Sequence, residues 1–153
     1  MRALLQRVTR AEVRVAGKVV GSVGRGFLVL LGVGPMDDEG VAAKMADKVR
    51  KLRVFSDDAG KMNLALQQVE GGCLVVSQFT LYGDMRSGNR PGFSRAAPPE
   101  KAGRLYMAFA EALRRAGVPV QTGEFGADMA VELINDGPVT LFLDSEELLG
   151  SGG

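Results

Sequence analysis

Two short, uninterrupted apolar runs constrain the fold of this chain more than any other sequence feature. Residues 27–31 are all apolar, and residues 73–76, which follow two glycines, form a second apolar run, whose strand we expect to extend from Cys73 to about Leu81. An apolar run of this kind is too short for a typical helix and is typical of a strand buried on both faces. We therefore predict two buried strands inside a compact fold.

The remaining elements follow from apolar periodicity and from helix-capping residues. A helix is predicted after the candidate caps Asp37 and Asp38, because apolar residues then recur at spacings of four, four and three. A second helix begins at Pro99. Further strands are predicted at residues 3–8, 11–16, 19–20, 131–134 and 139–143. With no internal repeat or linker, the sequence predicts one α+β domain at residues 1–149 and a flexible tail at residues 150–153.

The absence of histidine and the single cysteine exclude several kinds of active site. Without histidine, the chain has no Ser-His-Asp or Cys-His triad, no histidine-ligated metal and no histidine general base. Cys73 alone forms neither a disulfide within the chain nor a multi-cysteine zinc site. The acidic residues at 37–39 and 57–58 fit a helix start and a turn, not a metal-ligand set. We therefore predict no metal and no cofactor.

The charge of the chain is nearly balanced, which limits its partners. With 19 Lys plus Arg against 18 Asp plus Glu, long-range attraction to nucleic acid is weak, and a protein that coats a long duplex is disfavoured. Two local basic clusters exist, the first formed by the arginines at positions 2, 7, 10 and 14 and the second by those at 86, 90 and 95. They are either solvated surface charge or, at Arg7 and in the second cluster, contacts to a few phosphates. No apolar run approaches the roughly 20 residues that span a bilayer. Since the first residues also lack a signal-peptide pattern, we predict a cytoplasmic protein without a membrane or DNA partner.

A glycine-rich segment at residues 21–26 invites comparison with phosphate-binding loops. Such a loop lies between a strand and the N-terminus of a helix. Here the predicted strand at residues 27–31 follows the glycines, and no helix pattern does. We therefore interpret this segment as a turn between two strands.

Polar side chains appear where the second buried run should continue. Period-two alternation would put Ser77 and Phe79 on one strand face, with Gln78 and Thr80 on the other. These residues are either the end of a strand that runs into a loop or site residues that a sheet holds rigidly. Thr80 is a poor nucleophile without a base, and the Gln78 amide positions or polarises a group but cannot act as a general base.

A turn-like sequence, Asn-Asp-Gly-Pro at residues 135–138, divides the last apolar region. Between two predicted strands it is typical of a hairpin turn, although Pro138 removes a backbone donor where pairing should resume. A cis bond between Gly137 and Pro138 would instead present two backbone carbonyls in a fixed geometry. The residues alone leave both interpretations open, and they also leave open whether Phe125 and Met129 are core or pocket residues.

These two polar segments together resemble the paired signature motifs of the D-aminoacyl-tRNA deacylases. The first motif is Ser77-Gln78-Phe79-Thr80, and the second is Asn-Asp-Gly-Pro-Val-Thr at residues 135–140. Residues 6–11, 55–63, 90–94 and 121–123 are similar to the same family. The resemblance spans nearly the whole chain and implies a homodimer. It also implies an α+β fold with two stacked, mostly antiparallel sheets, barrel-like and flanked by two main helices.

The resemblance also assigns roles to residues. It implies that Ser77, Gln78 and Phe79 hold the terminal adenosine of tRNA, with the Phe79 backbone facing the developing oxyanion. The catalytic residues that it implies are Gln78, Phe79 and Thr80, and further pocket-lining positions are Ala102, Phe125 and Met129. Thr80 is either a nucleophile or, as we prefer, an orienting residue in a mechanism assisted by the 2′-hydroxyl of the terminal ribose.

By the same resemblance, Gly137 and Pro138 form a chiral filter that reaches into the pocket of the partner subunit through a cis bond. Their carbonyls would capture the substrate α-amino group and leave no room for an L side chain. The expected activity is therefore hydrolysis of D-aminoacyl-tRNA and of mischarged glycyl-tRNA. Two alternatives are a non-catalytic module that binds an RNA end or a nucleotide, and an esterase with a Thr80 nucleophile.

Overall fold

The computed structural model describes residues 1–150, which contain eight strands and three α-helices. The strands are β1 (Arg2–Val15), β2 (Lys18–Val23), β3 (Gly26–Gly32), β4 (Phe55–Ser56), β5 (Met62–Leu64), β6 (Gly72–Ser77), β7 (Val120–Thr122) and β8 (Ala130–Asp144). The helices are α1 (Glu39–Lys51), α2 (Pro99–Arg115) and α3 (Ser145–Leu149), with 3-10 helices at Leu66–Val69 and Phe79–Tyr82. Of the tail predicted at residues 150–153, residues 151–153 lie outside the described part.

The long strand β1 organises the main sheet. Its first half pairs with β3 and its second half with β2, while β8 pairs along nearly its whole length, all antiparallel. Strands β6 and β7 continue the sheet beyond β3 in parallel. The sheet curls until β2 approaches β7, where the Ser22 N–H donates to Gln121 Oε1 at 2.7 Å. This nearly barrel-shaped sheet, the small β4–β5 sheet and the two main helices confirm the predicted single-domain α+β fold.

The two predicted buried strands are confirmed as β3 and β6, which lie side by side in the main sheet. Alternate residues of β3 enter two separate apolar clusters. Phe27 packs with residues of α1 and α2, whereas Leu28 packs with residues of β1 and β8, and the residues of β6 divide in the same way. Because both faces are covered, neither strand shows polar alternation.

The helix α1 begins where the sequence predicts, but only one of its two candidate caps is used. The Asp38 side chain accepts from the Val41 N–H at 2.9 Å. Asp37 is buried instead, where its carboxylate accepts from the Met1 ammonium at 2.8 Å and from the Gly34 N–H at 2.7 Å. Among the helices of the described residues, none is long and apolar enough to cross a membrane.

The prediction that the strand from Cys73 extends to about Leu81 is wrong. Strand β6 ends at Ser77, and a 3-10 helix follows at Phe79–Tyr82, so the expected alternation across strand faces does not exist there. The reason lies in the neighbouring strand. The Gln78 N–H still donates to the Leu31 carbonyl at 2.8 Å, but β3 ends one residue later and offers no further partner.

The interpretation of the Asn-Asp-Gly-Pro segment as a hairpin turn is also wrong. Strand β8 runs through it, and residues 136–139 form an excursion opposite the single Arg7 of β1. The Asn135 side chain closes this excursion at its base: Oδ1 accepts from the Val139 N–H at 2.9 Å, and Nδ2 donates to Thr140 Oγ1 at 2.8 Å. Because β1 is long enough to pair with both halves of β8, the chain continues forward instead of reversing. The predicted strands at 3–8 and 11–16 are likewise one strand.

Candidate active site

An open cavity of about 510 Å³ lies beyond the carboxyl end of β6. Ligand sites in parallel sheets lie beyond the carboxyl ends of strands, and β6 runs parallel to both of its neighbours. Six residues assigned to substrate binding from the sequence line this cavity: Ser77, Gln78, Phe79, Ala102, Phe125 and Met129. The fold therefore brings together residues that come from β6, from α2 and from the segment before β8.

The turn after β6 holds the backbone of Gln78 and Phe79 at the cavity. The Gln78 N–H donates to the Leu31 carbonyl at 2.8 Å, and the Gln78 carbonyl accepts from the Leu81 N–H at 3.2 Å. Phe79 is the first residue of the 3-10 helix, so helix geometry leaves its N–H without an intrahelical acceptor. The cavity edge thus presents a backbone donor in a position that two hydrogen bonds make rigid.

Three phenylalanine rings line the cavity, and each remains partly exposed. The exposed fractions are 53% for Phe79, 39% for Phe93 and 40% for Phe125. Phe79 and Phe93 meet edge to face, with ring centroids 4.9 Å apart, and Phe125 packs against the buried Tyr106 at 5.9 Å. Exposed aromatic faces of this kind suit the stacking of an unpaired base. Phe93 was not predicted as a site residue; the signal was an aromatic residue within a polar, Gly-rich segment.

No ionisable side chain is found in the cavity lining of residues 1–150, where Ser77 and Gln78 supply the polar side chains. Nor do the described residues contain a group of three or more His, Cys, Asp or Glu side chains that could hold a metal. The Cys73 thiol lies outside this lining, and burial raises its pKa to about 12, so it stays protonated at neutral pH. The cavity therefore has neither a general base nor an activated nucleophile of its own.

Thr80 lies outside the lining of the cavity that Gln78 and Phe79 help to form. Its Oγ1 accepts a hydrogen bond from the Gln78 amide Nε2. An amide N–H is a donor and does not remove a proton from a hydroxyl. Thr80 therefore contacts the side chain of a cavity-lining residue without lining the cavity itself.

Gly137 and Pro138 do not line the cavity of their own chain within the residues described. They lie exposed on the β8 excursion, and the bond between them is cis, as expected. The excursion lies opposite Arg7, which is level with Cys73 across β3, whereas the cavity lies beyond Ser77. Four residues of strand correspond to about 13 Å. The pair therefore lies at a distance from its own cavity along the strand direction and, being exposed, is accessible to another molecule.

Arg7 fits neither of the two interpretations, solvated surface charge or phosphate contact, because its guanidinium is used inside the fold. Arg7 is buried; Nε donates to the Asp136 carbonyl at 3.0 Å and Nη1 to the Val54 carbonyl at 2.6 Å. Its Nε also lies 3.6 Å from the Asp136 carboxylate. Arg7 thus fixes the excursion that carries the Gly-Pro pair. Its position on the same strand face as Ala3 and Leu5 was the signal for burial.

The chain is similar to one family over nearly its whole length. The family model described as D-Tyr-tRNA(Tyr) deacylase matches residues 4–144. The D-aminoacyl-tRNA deacylase of Anaeromyxobacter dehalogenans (strain 2CP-C) is 63% identical over 148 residues, which cover 97% of this chain and 99% of that protein. The protein of the same name from Symbiobacterium thermophilum is 57% identical over 147 residues, which cover 96% of this chain and 97% of that one.

Solved structures share the fold. A structure described as c-Myc DNA Unwinding Element Binding Protein superposes with a TM-score of 0.89 at 42% identity, covering 94% of this chain and 98% of that one. A second, described as a probable eukaryotic D-amino acid tRNA deacylase, gives a TM-score of 0.81 at 16% identity over 93% of this chain and 97% of that one. At that identity, the second likeness concerns the fold alone.

Proposed function

The chain belongs to the D-aminoacyl-tRNA deacylase family of hydrolases, and from this membership we propose that it positions the ester of a D-aminoacyl-tRNA while the RNA itself supplies the reactive hydroxyl. The observation that carries this proposal is the cavity without an ionisable side chain. A protein that must remove a proton needs a base within hydrogen-bond reach. Here the nearest candidates are a serine, a glutamine and backbone groups.

In the proposed complex, the terminal adenosine lies at Ser77, Gln78 and Phe79. The half-exposed Phe79 ring supplies a stacking surface for the base, and Ser77 and Gln78 supply hydrogen-bonding groups. The ester carbonyl then lies near the Phe79 N–H, which stabilises the oxyanion as it develops.

The chemical step that we propose is hydrolysis assisted by the substrate. The 2′-hydroxyl of the terminal ribose helps water to attack the ester carbonyl, the acyl C–O bond breaks, and the free amino acid leaves the 3′-hydroxyl of the tRNA. An aminoacyl ester is already activated, so placing it correctly accounts for much of the acceleration. Gln78 orients the ester, and Thr80 orients Gln78.

Chiral selection is proposed to come from Gly137 and Pro138 of the partner subunit. The support is that the pair is exposed and lies away from its own cavity. Backbone carbonyls that bind the α-amino group do not read the side chain, so many D-amino acids and glycine should be accepted. An L side chain would collide with the same backbone.

The filter requires a dimer, and the outer face of β8 offers a surface for one. Ile134 and Phe142, which lie on either side of the excursion, are 48% and 52% exposed. We expect the protein to have twice the 16.2 kDa mass of one chain in solution. Phe142→Asp should yield monomers without deacylase activity, because a charge cannot be buried unpaired at an interface. The equally exposed Met107 on α2 gives the control, since Met107→Asp should leave the dimer intact.

Light scattering at working concentration measures these masses directly. A single-chain mass for the unaltered protein would exclude a filter supplied by the partner. A Phe142→Asp variant that remains dimeric and active would place the interface elsewhere on the surface.

The direct test of the proposed function compares D-tyrosyl-tRNA with L-tyrosyl-tRNA. The protein should release D-tyrosine and leave the L ester intact, with a difference in kcat/KM of at least about 10³, equivalent to roughly 4 kcal/mol. A protein that only binds an RNA end would release neither amino acid. A general esterase with a Thr80 nucleophile would release both, so either outcome contradicts the proposal.

A further inference from the structure

We infer that the loop at residues 83–98, called here the arginine loop, guides the single-stranded 3′ end of tRNA into the cavity, with Arg90 neutralising one of its phosphates. This inference rests on the proposed function, since it concerns the RNA part of the same substrate. It gives the RNA a defined side from which it enters.

The arginine loop has an ordered base. Asp84 and Gly92 exchange two backbone hydrogen bonds of 2.8 and 2.9 Å, which close a hairpin around residues 85–91. Arg86 folds back and donates to both carboxylate oxygens of Asp84, each at 2.9 Å. This guanidinium holds the pKa of the Asp84 carboxyl well below its usual range. Arg86 is thus used to neutralise Asp84 and is not a phosphate ligand.

The other two arginines of the loop carry its net positive charge. Arg90 and Arg95 are both exposed, and among residues 1–150 neither forms an ion pair. Phe93 lies between them in the sequence and lines the cavity, where its ring meets that of Phe79. Three residues of extended chain span at most about 10 Å, so the backbone of Arg90 stays within that distance of Phe93. The Arg95 side chain instead lines a separate depression, together with Arg2, Tyr82 and Asp144.

The opposite rim of the cavity carries the opposite charge. Its lining residues Phe125 and Met129 lie in a short segment that also contains Glu124 and Asp128. Within the described residues, no ion pair neutralises either carboxylate. A phosphodiester strand is attracted by the arginine loop and repelled by the acidic rim. The difference in charge therefore favours one path for the RNA, across Phe93, where an unpaired base can also stack.

The inference is tested with Arg90→Gln, compared with Arg115→Gln. Arg115 is exposed and ends α2, about 24 Å from the Pro99 end that lines the cavity, so the control loses the same charge away from the proposed path. The ligand is an RNA hairpin with a single-stranded CCA end and no attached amino acid, and its affinity is measured at several salt concentrations. Arg90→Gln should lose about fivefold in affinity at 0.1 M salt, and its salt slope should fall by about 0.7, the value for one contact to single-stranded RNA.

A second measurement separates the RNA path from the chemistry. The ratio of kcat/KM for D-tyrosyl-tRNA to kcat/KM for D-tyrosyl-adenosine should fall about fivefold in Arg90→Gln and stay constant in Arg115→Gln. Affinities and ratios that match those of Arg115→Gln would overturn the inference. If the unaltered protein cleaves neither ester, the proposed function fails. Binding to the hairpin without an amino acid still decides the role of the loop.

Discussion

D-Tyrosyl-tRNA that ends in 2′-deoxyadenosine should be cleaved at least about 10² times more slowly than the ribose substrate. The cavity contains no ionisable side chain, so a proton taken from the attacking water must go to a group of the substrate. Removing one positioned acid–base group typically costs 10²–10⁴ in rate. The measurement is a single-turnover rate at saturating protein, which separates cleavage from weaker binding.

The matched protein variant is Thr80→Ala, which should retain activity to within about tenfold. Thr80 is exposed, lies outside the cavity lining and accepts a hydrogen bond from Gln78, so its loss should loosen the Gln78 side chain without removing a reacting group. An inactive Thr80→Ala together with an active deoxy substrate would identify Thr80 as the nucleophile and would overturn the proposed mechanism.

Gly26→Ala should destabilise the fold by more than about 4 kcal/mol, the range reserved for severe defects. Gly26 has φ +154°, and a Cβ built there would lie 1.9 Å from the Gly72 carbonyl oxygen. The added Cβ would be fixed to the backbone of β3, and the oxygen that it meets belongs to the backbone of the adjacent strand β6. Neither strand can move away without breaking the pairing between them. Urea denaturation followed by circular dichroism measures the change.

The control lies two residues away, in the same glycine-rich segment. A Cβ at Gly24 would meet nothing within 4 Å, so Gly24→Ala should change the free energy of unfolding by less than about 1 kcal/mol. Equal denaturation midpoints for Gly24→Ala and Gly26→Ala would contradict this argument. Of residues 21–26, which the sequence predicts as a turn between two strands, only 24 and 25 connect β2 to β3. Gly21 and Gly26 lie within those strands, where the absence of a side chain allows neighbouring backbone to approach closely.

The candidate site was predictable to the extent that its residues carry local signals. Gln78 and Phe79 stood out because polar residues interrupted a buried run, and the fold places both at the cavity. Phe93 gave a weaker signal, since an aromatic residue in a polar loop has no periodic partner in the sequence. Arg7 was assigned to the wrong environment, because a charge count does not reveal that two distant carbonyls surround its guanidinium.

The sequence by itself determined the two buried strands and the absence of imidazole chemistry, because apolar runs and residue counts are local properties that no distant contact alters. Only the tertiary structure decided the form of residues 135–140. Whether Asn-Asp-Gly-Pro reverses the chain or lets it bulge depends on the length and register of β1, more than a hundred residues earlier. The same pairing places Gly137 and Pro138 at a distance from their own cavity. No local sequence pattern shows how far apart two such parts of the folded chain lie.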